Sequence, residues 1–220
     1  MTKISLVVIA YKSNMDMLHQ ALYCTELFDE VIIHVNDYET ANKIKIPEGN
    51  VRILVQEELI TPQEALNQAI HLTTSEFILP MTDDDFFHIQ NLQYLLKFLK
   101  EGDGNFDIIH YPIMAGFNKH WKKWGDNPEI TLNKLWEQNL IPFSSVYRKK
   151  VWEKVGGYKK EVPFSDWLFW LEACNLGFNF YYLDNPIYYH REGHKETLSN
   201  KESKIFNKNM FLKYLDNKNE

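Results

Sequence analysis

Cysteine is almost missing from this chain: Cys24 and Cys174 are the only two in 220 residues, far apart and in no C-x-x-C arrangement. That excludes a disulfide framework and a cysteine zinc site, and leaves two free thiols expected to be buried. Glycine and proline are sparse as well, at nine and eight residues, and neither an internal repeat nor a low-complexity segment is visible. Positive charge is in deficit, with 24 Lys and Arg against 30 Asp and Glu and a net charge of -6. A phosphate backbone needs a basic face, so the balance argues against wholesale nucleic-acid binding, though not against a small anion held through a metal ion. No stretch approaches the ~20 apolar residues of a membrane span. The short apolar run in "MTKISLVVIAYKS" has no small-residue cleavage site behind it, so a soluble, cytoplasmic protein is expected.

What is present is ordinary in amount and ordered in arrangement. Hydrophobic residues make up 45% and charged residues 25%, as in globular domains, while aromatics at 15% supply bulk for a core and flat surfaces for rings to stack on. "ISLVVIA" at 4–10, "VIIHV" at 31–35 and "VRILV" at 51–55 read as buried parallel strands. Ser13, with Asp16 three residues on, forms a capping-box pattern before Met15, Leu18 and Leu22 at helical spacing. Thr61, Pro62 and Glu64 open a second helix, and a polar connection containing Pro47 and Gly49 lies between the second and third strands.

"FILPM" at 77–81 is the next strand, followed by a helix near 89–100 and a strand at 107–111. "FNKHWKKWGDNPE" at 117–129 reads as a long loop. Helices at 148–155 and 165–176 stop at Gly156–Gly157 and Gly177, the last strand falls near 179–183, and 200–220 reads as a lysine-rich helix. Alternating strands and helices give an α/β class, a mostly parallel central sheet flanked by helices.

In such a sheet, ligands bind outside the carboxyl ends of the strands, and "TDDD" at 82–85 stands there. Three neighbouring carboxylates repel one another unless a cation joins them. A hard ion such as Mg²⁺ or Mn²⁺ takes one or two carboxylates and completes its octahedron with phosphate and water. The competing explanation is a solvated acidic turn. His34, inside an apolar strand, is expected to be a hydrogen-bonded core residue, and Tyr188 and Tyr189 packing residues. Trp121 and Trp124 suit either a sugar platform or a loop anchor.

"ISLVVIAYKS", "VIIHVND", "ALNQAIHLTTSEFILPMTDDD" and "PFSDWLFWLEACNLGFNFYYLDNPIYYHREGHKETLS" follow one another in an order and spacing that resembles family 2 glycosyltransferases, inverting enzymes with a GT-A type nucleotide-binding fold. The resemblance covers most of residues 3–199. It implies one domain over 1–199, with a nucleotide-sugar-binding half at 1–100 and an acceptor-binding half at 101–199. It also implies that Ala10 and Tyr11 lie beside the nucleotide base and that Asp37 contacts it, although Asn36, Tyr38 and Glu39 depart from the family's Val-Asp-Asp-Gly-Ser pattern.

Asp83 would face the ribose, Asp84 would ligate the metal and Asp85 would belong to that metal site as its support. Asp166 would be the catalytic base, with Ser165 in place of the usual glutamate; an aspartate in a helix's first turn is also favoured by the helix dipole alone. A histidine after the last strand would join the metal or diphosphate site, with His194 matching best and His190 the alternative.

The implied reaction moves a sugar from a nucleoside-diphosphate sugar, expected to be a UDP-sugar, to a hydroxyl of a glycan or lipid-linked acceptor, with Mn²⁺ or Mg²⁺ as cofactor. Cell-surface polysaccharide synthesis is the family-level context. Lys201, Lys204, Lys208 and Lys213 suit either a solvated face or peripheral contact with anionic lipid at the inner face of the membrane. Two competing functions are a nucleotide-sugar-binding module without turnover and a sugar nucleotidyltransferase. The latter needs a glycine-rich loop after the first strand, where "AYKSNMD" has no glycine.

Overall fold

The computed structural model describes residues 2–45, 49–102, 104–117, 120–126, 129–162 and 164–192. In chain order its elements are β1 (Ile4–Ala10), α1 (Met15–Leu22), β2 (Glu30–Val35), α2 (Tyr38–Lys43), β3 (Val51–Val55), α3 (Pro62–His71), β4 (Phe77–Thr82), β5 (Phe86–Phe87) and α4 (Ile89–Glu101). The second half adds β6 (Ile108–His110), β7 (Ile113–Phe117), β8 (His120–Trp124), α5 (Leu132–Glu137), β9 (Val146–Arg148), α6 (Lys149–Val155), α7 (Ser165–Asn175), β10 (Phe180–Tyr182) and β11 (Tyr188–Arg191).

Seven strands form the central sheet in the order β10-β6-β9-β4-β1-β2-β3. All neighbours run parallel except β9, which lies antiparallel to both β4 and β6. Period-2 alternation divides the side chains between two cores. Leu6, Val8, Ile33, Leu79 and Met81 point to one face, where Leu18, Leu22, Leu92 and Leu95 of α1 and α4 cover them. Val7, Ile32 and Ile78 point to the other, under Leu66, Ile70, Val151 and Leu168 of α3, α6 and α7. Burying a large aliphatic side chain contributes about 1.5–3 kcal/mol, so this two-sided burial dominates the stability. The "WLFWL" helix is buried as expected, with Leu168, Phe169, Trp170 and Leu171 all inside.

The second sheet, β5-β11-β7-β8, grows from the chain just after the three aspartates. Its existence corrects the reading of 117–129 as a loop: β7 and β8 form an antiparallel hairpin with Gly116 facing Trp121. A Cβ on Gly116 would lie 2.0 Å from the carbonyl oxygen of His120, so only glycine fits. It also corrects the placement of the last strand, because β11 follows β10.

Other expectations change locally. β3 is the sheet's edge, with Arg52 and Ile53 exposed, so it is not buried on both faces. The cap of α1 is Asn14, whose side chain accepts from the amides of Asp16 and Met17; Ser13 is engaged elsewhere. Helix α3 does open with the expected capping box between Thr61 and Glu64. The polar connection after β2 contains α2, and α5 and β9 also add order where none was expected. Cys24 is buried, and burial pushes its thiol up to about 12, whereas Cys174 is only half-buried. The 200–220 segment lies outside the described residues. Among the described residues no helix is long and apolar enough to cross a membrane.

Candidate active site

β1, β2 and β4 lie side by side and end together, which brings Tyr11, Asp37 and the 82–85 segment to one edge of the sheet. Ala10 is buried at the end of β1 and Tyr11, next to it, is 45% exposed. The chain then turns through Lys12 in the left-handed region at φ 46°, an uncommon conformation for a residue with a side chain. That turn allows the Tyr11 amide, at 3.3 Å, and the Ser13 hydroxyl to donate to Asp83 Oδ2. Asp83 is thus buried and fastened to the exit of β1.

Asp37 caps α2, accepting the Thr40 amide at 2.6 Å. Burial raises its pKa, but the amides of Thr40 and Lys12 and the Lys12 charge outweigh that and hold the carboxyl below its usual range. Tyr38, standing where the family pattern has glycine, is exposed beside it.

Asp85 is fastened more firmly still. It is 2% exposed. Its Oδ1 accepts the Arg191 amide at 2.7 Å; its Oδ2 accepts the Tyr188 phenol at 2.6 Å and the Thr82 hydroxyl at 3.0 Å, and lies 3.0 Å from His190 Nδ1. A carboxylate only accepts, so Nδ1 is the protonated nitrogen and Nε2 is the one left for other work. Burial lowers the His190 pKa, yet the charges of Asp85, Asp84 and Glu192 prevail and raise it. Tyr188, by contrast, stays neutral well above 10, through burial and the same carboxylate. The Arg191 guanidinium donates to the Asp84 carbonyl and to Gln20 of α1, and sits 4.6 Å from the centre of the Phe86 ring. Asp84, half-exposed, stands between two tethered neighbours.

Among the described residues no group of three or more His, Cys, Asp or Glu side chains is placed to hold a metal ion. Asp85, expected to belong to the metal site as its support, has both oxygens engaged by protein donors. Asp84, half-exposed, and the His190 imidazole, whose pKa the Asp84 charge helps to raise, are donors of the kind that suits a cation taking most of its ligands from phosphate and water. His194 lies outside the described residues, so of the two candidate histidines His190 is the one with a described position.

Asp166 belongs to a second group. It lies in the first turn of α7, after Phe164 in the left-handed region at φ 54°. Asn139 Nδ2 donates to its Oδ2 at 3.1 Å, and the indole of the adjacent Trp167 donates to the Leu135 carbonyl of α5 at 2.5 Å.

Several participants had no signal in the sequence. Ser13 reads as a cap and Tyr188 as packing, while Gln20, Arg191 and Asn139 stand in no motif. Trp121 turns out to pack edge-on against Phe86 and Tyr189, an anchor, while Trp124 is 43% exposed. His34 is the expected core residue, 3.0 Å from Gln68 Oε1.

A profile described as "Glycosyl transferase family 2" matches residues 5–156. The chain belongs to this family. Solved structures of TarS from S. aureus have the same fold. TarS 1–349 in complex with UDP-GlcNAc superposes with a TM-score of 0.67 at 20% identity, covering 90% of this chain and 61% of that one. TarS 1–349 in complex with UDP gives 0.66 at 20% identity, covering 86% and 60%. At such identity the likeness establishes the GT-A architecture, and the chain spans 60% of the length of TarS 1–349. No curated protein matches the sequence significantly.

Proposed function

We propose that this family 2 glycosyltransferase moves a sugar from a nucleoside-diphosphate sugar, a UDP-sugar, to a hydroxyl of a glycan or lipid-linked acceptor, with inversion at the anomeric carbon. The observation that carries this reading is the aspartate triplet after β4: Asp83 and Asp85 are buried and hydrogen-bonded, and Asp84 between them is half-exposed at the strand ends. Support for the nucleotide comes from the TarS structures, which hold UDP and UDP-GlcNAc.

In this proposal Tyr11 and Asp37 receive the base and Asp83 the ribose. Asp84 and His190 Nε2 would hold a Mn²⁺ or Mg²⁺ ion, with Asp85 fixing the imidazole through Nδ1. When bound, such an ion supplies charge stabilisation to the departing diphosphate. Asp166 takes the proton of the acceptor hydroxyl as its oxygen attacks the anomeric carbon. The bond from that carbon to the diphosphate oxygen breaks on the opposite face, the nucleoside diphosphate leaves, and the configuration inverts.

Asp166→Asn separates a transferase from a binding module. The variant is expected to retain UDP affinity and lose at least ~100-fold in UDP release from its UDP-sugar. The check is calorimetry beside a UDP-release assay over a panel of UDP-sugars. Equal loss of binding and turnover, or no loss of either, would remove Asp166 from the chemistry.

A further inference from the structure

We propose that Asn139 is the positioning residue of the base, setting the rotation of the Asp166 carboxylate and favouring its ionised form. This rests on the reading of Asp166 as that base.

Three observations carry it. The Asn139 amide is not free to flip, because its Oδ1 accepts the Ile141 backbone amide at 3.2 Å. Its Nδ2 is therefore directed outward, and it meets Asp166 Oδ2 at 3.1 Å. The two segments cannot drift apart easily, since Trp167, the residue after Asp166, is hydrogen-bonded to Leu135 of α5 at 2.5 Å, with Leu135 itself buried in the core. Asn139 thus stands just after α5, while Asp166 opens α7. A donor fixed on one oxygen selects one rotation of the carboxylate and stabilises its charge relative to the protonated acid.

Other ionisable groups lie around this contact. Tyr158, after α6, feels the Asp166 charge, and burial first, then Tyr147, keep its phenol neutral well above 10. Lys134 and Glu137 of α5 are exposed, with Lys134 paired to Glu129 at 3.5 Å. On α7 itself the remaining carboxyl is Glu172, six residues further on.

The test follows the Asp166 carboxyl directly by NMR on ¹³C-aspartate-labelled full-length chain, with Asp166→Asn assigning the signal. In Asn139→Ala the titration midpoint is expected to rise by about one pH unit, a tenfold gain in proton affinity. UDP release from UDP-GlcNAc, or from whichever panel UDP-sugar the native chain uses, should fall about tenfold in kcat with KM and UDP affinity unchanged. Asn139→Asp keeps the shape and reverses the electrostatics, so it should raise the midpoint further and serves if the alanine variant does not fold. A midpoint unmoved in both variants, or a kcat loss matched by a loss of UDP affinity, overturns the proposal. If the midpoint rises but the native chain turns over no nucleotide-sugar, the Asn139–Asp166 coupling stands and the base role of Asp166 is what fails.

Discussion

Asp85 is the most enclosed of the three aspartates after β4 and makes side-chain or backbone contact with Thr82, Tyr188, His190 and Arg191. Such a carboxylate acts through its neighbours, because every lone pair used for a protein donor is withdrawn from a ligand. Asp85→Asn keeps the volume but turns one acceptor into a donor facing donors, and strips His190 of its nearest negative charge. Leaving buried donors without their charged acceptor costs about 1–3 kcal/mol. The variant should lose about that much stability in chemical denaturation and bind UDP more weakly in the presence of Mn²⁺; unchanged stability would show that the network is not needed for the fold.

At the scale of elements, much was legible in the sequence where one local rule acted alone. The apolar run of β1, the capping box of α3 and the glycines after α6 and α7 all mark their elements correctly. What failed depended on partners distant in sequence. β3 carries the composition of a buried strand, yet the topology puts it at an edge, which no local pattern records. The β7–β8 hairpin looks polar because β8 pairs on one side only, and β11 is short enough to pass for a loop. The aspartates were legible as a cluster at the end of β4; their tethers were not, since Asp85 is bound by residues more than 100 positions away.

His110 on β6 gives this scale a pH test. It is 2% exposed, and burial pushes its pKa down to about 4, below the 6.5 of an unfolded histidine. The unfolded chain therefore binds the proton more readily between those values, so this group's contribution to stability is intact above pH 6.5 and is lost as the pH falls towards 4. Each unit is worth 1.36 kcal/mol, so the loss is about 3 kcal/mol. His190, whose pKa is raised, works in the opposite sense, with stability lost as the pH rises through its folded value. In His110→Gln the drop between pH 6.5 and 4, measured by urea denaturation, should shrink by about 3 kcal/mol; an unchanged drop would mean that His110 charges without cost in the folded state.

For the whole molecule, a net charge of -6 would repel a diphosphate, and four of its carboxyl groups, those of Asp37, Asp83, Asp84 and Asp85, are gathered at the carboxyl ends of β1, β2 and β4. A polyanion enters such a place only with compensating positive charge. The proposed function therefore makes nucleotide binding here depend on a divalent cation held through Asp84. Calorimetric titration of UDP, with and without Mn²⁺, on the native chain and on Asp84→Ala tests it most directly. Binding of UDP that needs Mn²⁺ and weakens at least ~100-fold in Asp84→Ala is the predicted result. Binding of equal strength with and without the ion, or the same affinity in both proteins, would contradict it.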